Sequence, residues 1–170
     1  MNDAHPAGQG PAPLSREAIA GLSGLDLLRA MLAGRLPPPP FAGTTRIVLV
    51  EVEHGRAVFE GEPSGAFLNP LGTVHGGWTG AMLDSAMACA VHSALQPGQT
   101  YTTLEMKVNF VRAVSPSTGR LRCEGRLLHL GGRVATSEGR VTDEAGTLVA
   151  HGTETCLILA PRANPAVSSA

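Results

Sequence analysis

The sequence predicts an α+β domain in which an antiparallel sheet wraps around one long central helix. Two observations carry this expectation. The run from Trp78 to Leu95 is almost wholly apolar or small around its helical circumference, which calls for burial on every side. Strand-like segments precede and follow it, joined by short turn sequences that favour antiparallel neighbours. At 170 residues and 43% hydrophobic, the chain can build one domain with a proper core, and nothing suggests a second.

Residues 1–14 are rich in Pro, Gly and Ala and lack the basic start and apolar segment of a secretory signal, so they read as a disordered tail. Residues 15–42 form a helical segment with a proline-rich linker. Ser15 and Glu17 precede apolar positions Ile19, Leu22, Leu25, Leu27, Leu28 and Leu32, and Pro37 to Pro40 end the pattern. The main domain spans 43–160. Arg46 to Val52 and Arg56 to Gly61 predict a hairpin turning at His54-Gly55. Pro63 to Gly77 predicts an irregular loop leading into the apolar helix, which Pro97-Gly98 closes. From Tyr101 the period changes to two: Leu104, Met106, Val108 and Phe110 alternate with Glu105, Lys107 and Asn109. That alternation puts Thr103 with Glu105 and Lys107, opposite Leu104 and Met106. Arg120 to Leu130, Arg133 to Asp143 and Thr147 to Leu159 predict three more strands, with turns at Gly131-Gly132 and Glu144-Ala145-Gly146. Residues 161–170 read as a flexible tail.

With 13 basic residues against 14 acidic, the net charge of −1 offers no field for nucleic acid or an anionic membrane. The longest apolar run, Ala81 to Leu95, contains Asp84 and His92 and falls short of a membrane span. Cys89, Cys123 and Cys156 show no paired spacing, which argues against a zinc site or a disulfide scaffold and fits a cytoplasmic protein.

Asp84 is the residue out of place. It lies inside the apolar helix, nine positions after His75-Gly76-Gly77. Burial penalises a carboxylate's charged form, and chains that keep an acid under such conditions often use it as a base or nucleophile. The bland alternative is a buried acid paired with an arginine.

The stretch Asn69-Pro70-Leu71-Gly72-Thr73-Val74-His75-Gly76-Gly77, followed by Asp84, resembles the signature of the hotdog-fold acyl-CoA thioesterases. The likeness is to the phenylacetate-pathway type within the 4-hydroxybenzoyl-CoA thioesterase superfamily. Thr102 to Arg112 and His129-Leu130-Gly131-Gly132-Arg133 resemble that family too. The resemblance implies a hotdog fold, a homodimer joined sheet edge to sheet edge and often paired again into a homotetramer, and active sites between subunits. It implies an acyl-CoA substrate and no metal or other cofactor, coenzyme A being part of the substrate. Gly76 would offer its N–H to the thioester carbonyl, and Asp84 would attack or activate water. Asn69 would orient water or substrate, His75 would shape the loop, and Thr103 would hold the attacking water. Position 88 is Ala where some relatives carry a hydroxyl, which leaves that role to Thr103. Gly77, Arg112, Gly131, Gly132 and Arg133 would bind coenzyme A, the guanidinium groups taking its phosphates. The acyl pocket would draw on the N-terminal helices and the surroundings of Trp78.

Each residue also has a structural reading. His75 could satisfy backbone groups, Asn69 before Pro70 is a common turn arrangement, and Arg133 could be a solvated turn residue. Two rival functions are a non-catalytic acyl-CoA sensor on the same fold and a hotdog hydratase or dehydratase. The latter would want an Asp and His pair at the helix entrance.

Overall fold

The computed structural model describes residues 14–15, 19 and 21–160. The terminal tails and the start of the first helical segment around Glu17 lie outside them. The N-terminal portion holds two helices. Helix α1, Gly24–Leu32, is capped by Ser23, whose Oγ accepts from the Asp26 N–H at 3.2 Å. The prolines differ from expectation: α1 already ends at Leu32, with Gly34 at φ 70° just behind it, and the last proline of the run begins helix α2, Pro40–Thr45, because proline at the first helical position loses no hydrogen bond.

Strands β1 (Ile47–Glu53) and β2 (Arg56–Gly61) pair as the expected hairpin, with Gly55 at φ 75° in the turn. Helix α3, Gly76–His92, follows the loop, and then come β3 (Thr100–Phe110), β4 (Leu121–Leu130), β5 (Val134–Thr142) and β6 (Leu148–Leu159). The six strands form one antiparallel sheet in the order β1-β2-β4-β5-β6-β3, curled around α3. This is the α+β hotdog architecture. Met82, Leu83, Ala86, Met87, Ala90 and Val91 of α3 are sealed against the sheet. Among the described residues no helix is long and apolar enough to cross a membrane.

Helix and sheet approach most closely at Gly125 of β4, where an added Cβ would run into the backbone carbonyl of Ala86. No side-chain rotation relieves a backbone clash. Gly125→Ala is therefore expected to lower stability by roughly 1–3 kcal/mol, read from the denaturant midpoint.

Helix α3 is not buried all round. It packs mainly on β2, β4 and β5, leaving a half-open stripe of Gly77, Ala81, Asp84, Ser85, Cys89 and His92, one side of the helix at its 3.6-residue period. The side toward β3 stays open as a groove.

Strand β3 departs from simple alternation. Thr103 pairs with Cys156 and Glu105 with Thr155, so Leu104 is an extra, unpaired residue in a β-bulge. The bulge reverses the parity expected from sequence. Thr103 faces the helix together with Met106 and Val108, and Leu104 points outward, 58% exposed.

Candidate active site

The groove has a volume of about 630 Å³ and is floored by His75, Gly76, Gly77, Gly80, Ala81 and Asp84 of the helix and walled by Met106, Val108 and Phe110 of β3. Trp78 and Met82 do not line it. They are buried, and the Trp78 indole N–H donates to the Thr45 carbonyl at 2.8 Å while its ring stacks on Phe67. None of the described N-terminal residues lines it either; the groove is made by α3 and β3.

The entrance of α3 leaves one donor free. His75 is the N-cap: its own N–H donates to the Phe67 carbonyl at 2.7 Å, and its carbonyl accepts from the Trp78 N–H at 2.9 Å. The Gly77 N–H donates to His75 Nδ1 at 2.9 Å. These account for three of the four orphan donors that open a helix. The fourth, the Gly76 N–H, has no acceptor among the described residues and opens on the groove at the positive end of the helix dipole. Gly77, expected at the substrate, spends its N–H on His75.

Asp84 lies two turns further along and is half-buried. Burial raises its pKa above the ordinary carboxylate value, against the opposing pull of the Thr103 hydroxyl. Thr103 Oγ1 is 3.4 Å from Asp84 Oδ1, so the bulge brings these two together. The same hydroxyl is 2.7 Å from Oε1 of Glu154 on β6, a residue the sequence reading missed. Its signal was available: Gly152, Glu154, Cys156 and Ile158 share one parity, and all face the core.

Asn69 does not reach the groove. Its Oδ1 accepts from the Leu71 and Thr73 N–H groups at 2.9 and 3.3 Å, and its Nδ2 donates to Thr73 Oγ1 at 2.8 Å, which builds the loop before the helix.

One chain does not assemble the expected site. Gly76 and Asp84 are eight residues apart on a single helix, about 12 Å along its axis, whereas one reacting carbonyl needs donor and base each within about 3 Å. Arg112 and Arg133 are also apart. Arg133, with Gly131 and Gly132, precedes Val134, which pairs through Leu157 to Thr102 at the start of β3, while Arg112 lies just beyond Phe110 at its end. That separation is about 25 Å at the rise of a strand. Both arginines are exposed and have no ion-pair partner among the described residues. Arg56, Arg120, Arg122 and Arg126 are committed to glutamates on the outer face of the sheet. Among the described residues no cluster of three or more His, Cys, Asp or Glu side chains could hold a metal ion.

Comparison with known proteins agrees with this architecture. Residues 71–150 match the family model of the thioesterase superfamily. A phenylacetic acid degradation-related protein of Ralstonia eutropha is 36% identical, with 76% of this chain and 98% of that one covered at a TM-score of 0.70. A point variant of the phenylacetic acid degradation protein PaaI of Thermus thermophilus is 30% identical, covering 70% of this chain and 98% of that one at a TM-score of 0.63. A 1,4-dihydroxy-2-naphthoyl-CoA hydrolase of Listeria monocytogenes is 26% identical over 106 residues, 62% of this chain and 85% of that protein. The chain belongs to the hotdog-fold thioesterase superfamily, alongside its phenylacetate-pathway members.

Proposed function

We propose that the protein hydrolyses an acyl-CoA thioester to a carboxylic acid and free coenzyme A, in sites composed by two copies of the chain. The observation that carries this reading is the Gly76 N–H, the one unspent donor of its helix entrance, on the same groove as a carboxylate whose pKa is raised by burial. The gap of about 12 Å between them within one chain supports a two-chain site. Strand β3 is an 11-residue edge with Leu104, Phe110 and Val111 exposed, an open template for another strand. Two-fold antiparallel pairing of two such edges brings the start of one β3 beside the end of the other, and likewise one helix entrance toward the other chain's Asp84. Asn69 and His75 come with Gly76, and Arg112 meets the partner's Arg133, where paired guanidiniums suit the phosphates of coenzyme A. A second contact, through the outward Leu104, Leu128, Val134 and Leu159, would complete a homotetramer. Light scattering is expected to give a mass above that of one chain.

In this reading the thioester oxygen accepts from Gly76, and Asp84 takes a proton from a water held by Thr103. The water oxygen bonds to the carbonyl carbon, and the tetrahedral oxyanion forms at the Gly76 N–H. Its collapse breaks the C–S bond, and the departing thiolate takes the proton from Asp84. The walls Met106, Val108 and Phe110 favour an alkyl or aryl acyl group over a charged one. The reaction needs no metal or redox cofactor. The unpaired cysteines fit the cytoplasm.

A panel of short, medium, long and aromatic acyl-CoAs, followed with a thiol reagent for released coenzyme A, tests the proposal. Turnover is expected on apolar acyl groups. Binding of acyl-CoA without turnover on any of them would make the protein a sensor instead.

A further inference from the structure

Glu154 is the only carboxylate buried in the core among the described residues, at 2% exposure. No lysine, arginine or histidine pairs with it or with Asp84 among those residues, so the ion-pair explanation for a buried acid fails at both. The groups facing it are Asp84 and Cys89 from α3, Thr103 and Tyr101 from β3, Ser137 across β5 and Cys156 of its own strand. None is a cation. Burial pushes the Cys89 and Cys156 thiols up to about 12 and raises Tyr101 as well, so these neighbours are neutral.

The hydrogen count does not close with two charged carboxylates. Thr103 has one hydroxyl hydrogen and two carboxylate oxygens beside it, at 2.7 Å on Glu154 and 3.4 Å on Asp84. Glu154 Oε1 otherwise receives only a weak thiol donor, Cys156 Sγ at 3.1 Å, and Oε2 is buried with no partner, as is Ser137 Oγ. An ionised Glu154 would take the hydroxyl hydrogen and leave Asp84 facing an oxygen lone pair. A neutral Glu154 donates to Thr103 Oγ1 and turns the hydroxyl hydrogen toward Asp84. The single charge then sits on the carboxylate that borders the groove, where desolvation is less complete.

We propose that Glu154 is a positioning residue held neutral in the core, donating to the Thr103 hydroxyl, which in turn donates to Asp84 and keeps that carboxylate ionised and oriented. As a role in turnover this rests on the hydrolase reading above, but the position of the proton does not. Burial raises the pKa of Glu154, the contacts with Thr103 and Cys156 pull the other way, and the Asp84 charge adds to the rise, so the net direction is the one the geometry requires.

The test is a ¹³C-carboxyl NMR titration of the full-length protein, combined with acyl-CoA kinetics on Glu154→Gln and Glu154→Leu. The Glu154 carboxyl carbon is expected at its protonated position near neutral pH while that of Asp84 is ionised. Glu154→Leu, which removes the donor, is expected to lower kcat roughly tenfold with KM little changed. Glu154→Gln, whose amide N–H replaces the acid's donor, is expected to rescue most of that loss with the acidic limb of the pH profile in place. A Glu154 carbon at the carboxylate position near neutral pH overturns the proposal, and so does a Gln variant as impaired as the Leu variant. Should no acyl-CoA be hydrolysed at all, the hydrolase reading falls, and the titration still decides where the proton lies.

Discussion

Asp84→Asn is expected to reduce acyl-CoA turnover roughly 10²–10⁴-fold while leaving the fold and coenzyme A affinity in place. The amide keeps the shape of the carboxyl and can still accept from Thr103, 3.4 Å away, but it cannot take a proton from water. Stability should move the opposite way from activity. Burial raises the pKa of Asp84 in the folded chain, so the native state holds this proton more tightly than the unfolded one. The stabilising contribution is present at low pH and is lost as pH rises through the folded value, which means the ionised carboxylate is a net cost at neutral pH. Asn removes that cost. The melting temperature of Asp84→Asn near neutral pH is expected to equal or exceed that of the wild type, and the difference should vanish on acidification. In the wild type, kcat/KM should fall as pH drops through the raised pKa, giving an acidic limb above the usual carboxylate range. A variant that retains full turnover, or one that loses it only by unfolding, would remove Asp84 from the chemistry.

Much of this was legible in the sequence. The apolar helix, the strand succession and the His-Gly-Gly entrance with Asp84 behind it are local patterns, and local patterns survive without knowledge of neighbours. What stayed hidden depends on pairing. Polar and apolar residues alternate unbroken from Leu104 to Phe110, so nothing in β3 alone reveals that Leu104 has no partner in β6, and that mismatch is what turns Thr103 toward Asp84. Glu154 follows the inward parity of β6, yet a glutamate between two threonines reads as surface until the helix is seen above it. The distance between Arg112 and Arg133 follows from β6 lying between β5 and β3, a fact of topology. The groove is made by what α3 leaves uncovered, and periodicity showed only that the helix was apolar.

Gly76→Pro is expected to lower kcat roughly 10²–10³-fold by deleting a single hydrogen-bond donor. The backbone at this position suits proline. Gly76 is the first residue of α3, where proline is favoured because its missing N–H has no intrahelical partner. His75 before it sits at φ −60°, ψ 130°, in the extended region that a residue preceding proline requires. A Cβ at position 76 would meet the Phe110 ring at 3.3 Å, so Gly76→Ala, which keeps the N–H, serves as the steric control and should lose far less. Equal losses in the two variants would mean that crowding, not the donor, is responsible. The two impaired chains also report on each other. If each site takes Asp84 from one chain and Gly76 from its partner, a dimer of Asp84→Asn with Gly76→Pro holds one intact site and one doubly defective site. Random mixing of the two chains makes about half of the dimers mixed, so about a quarter of wild-type activity should return although neither variant is active alone. A site built within one chain has no intact copy in any such dimer, and the mixture would stay as inactive as its parts.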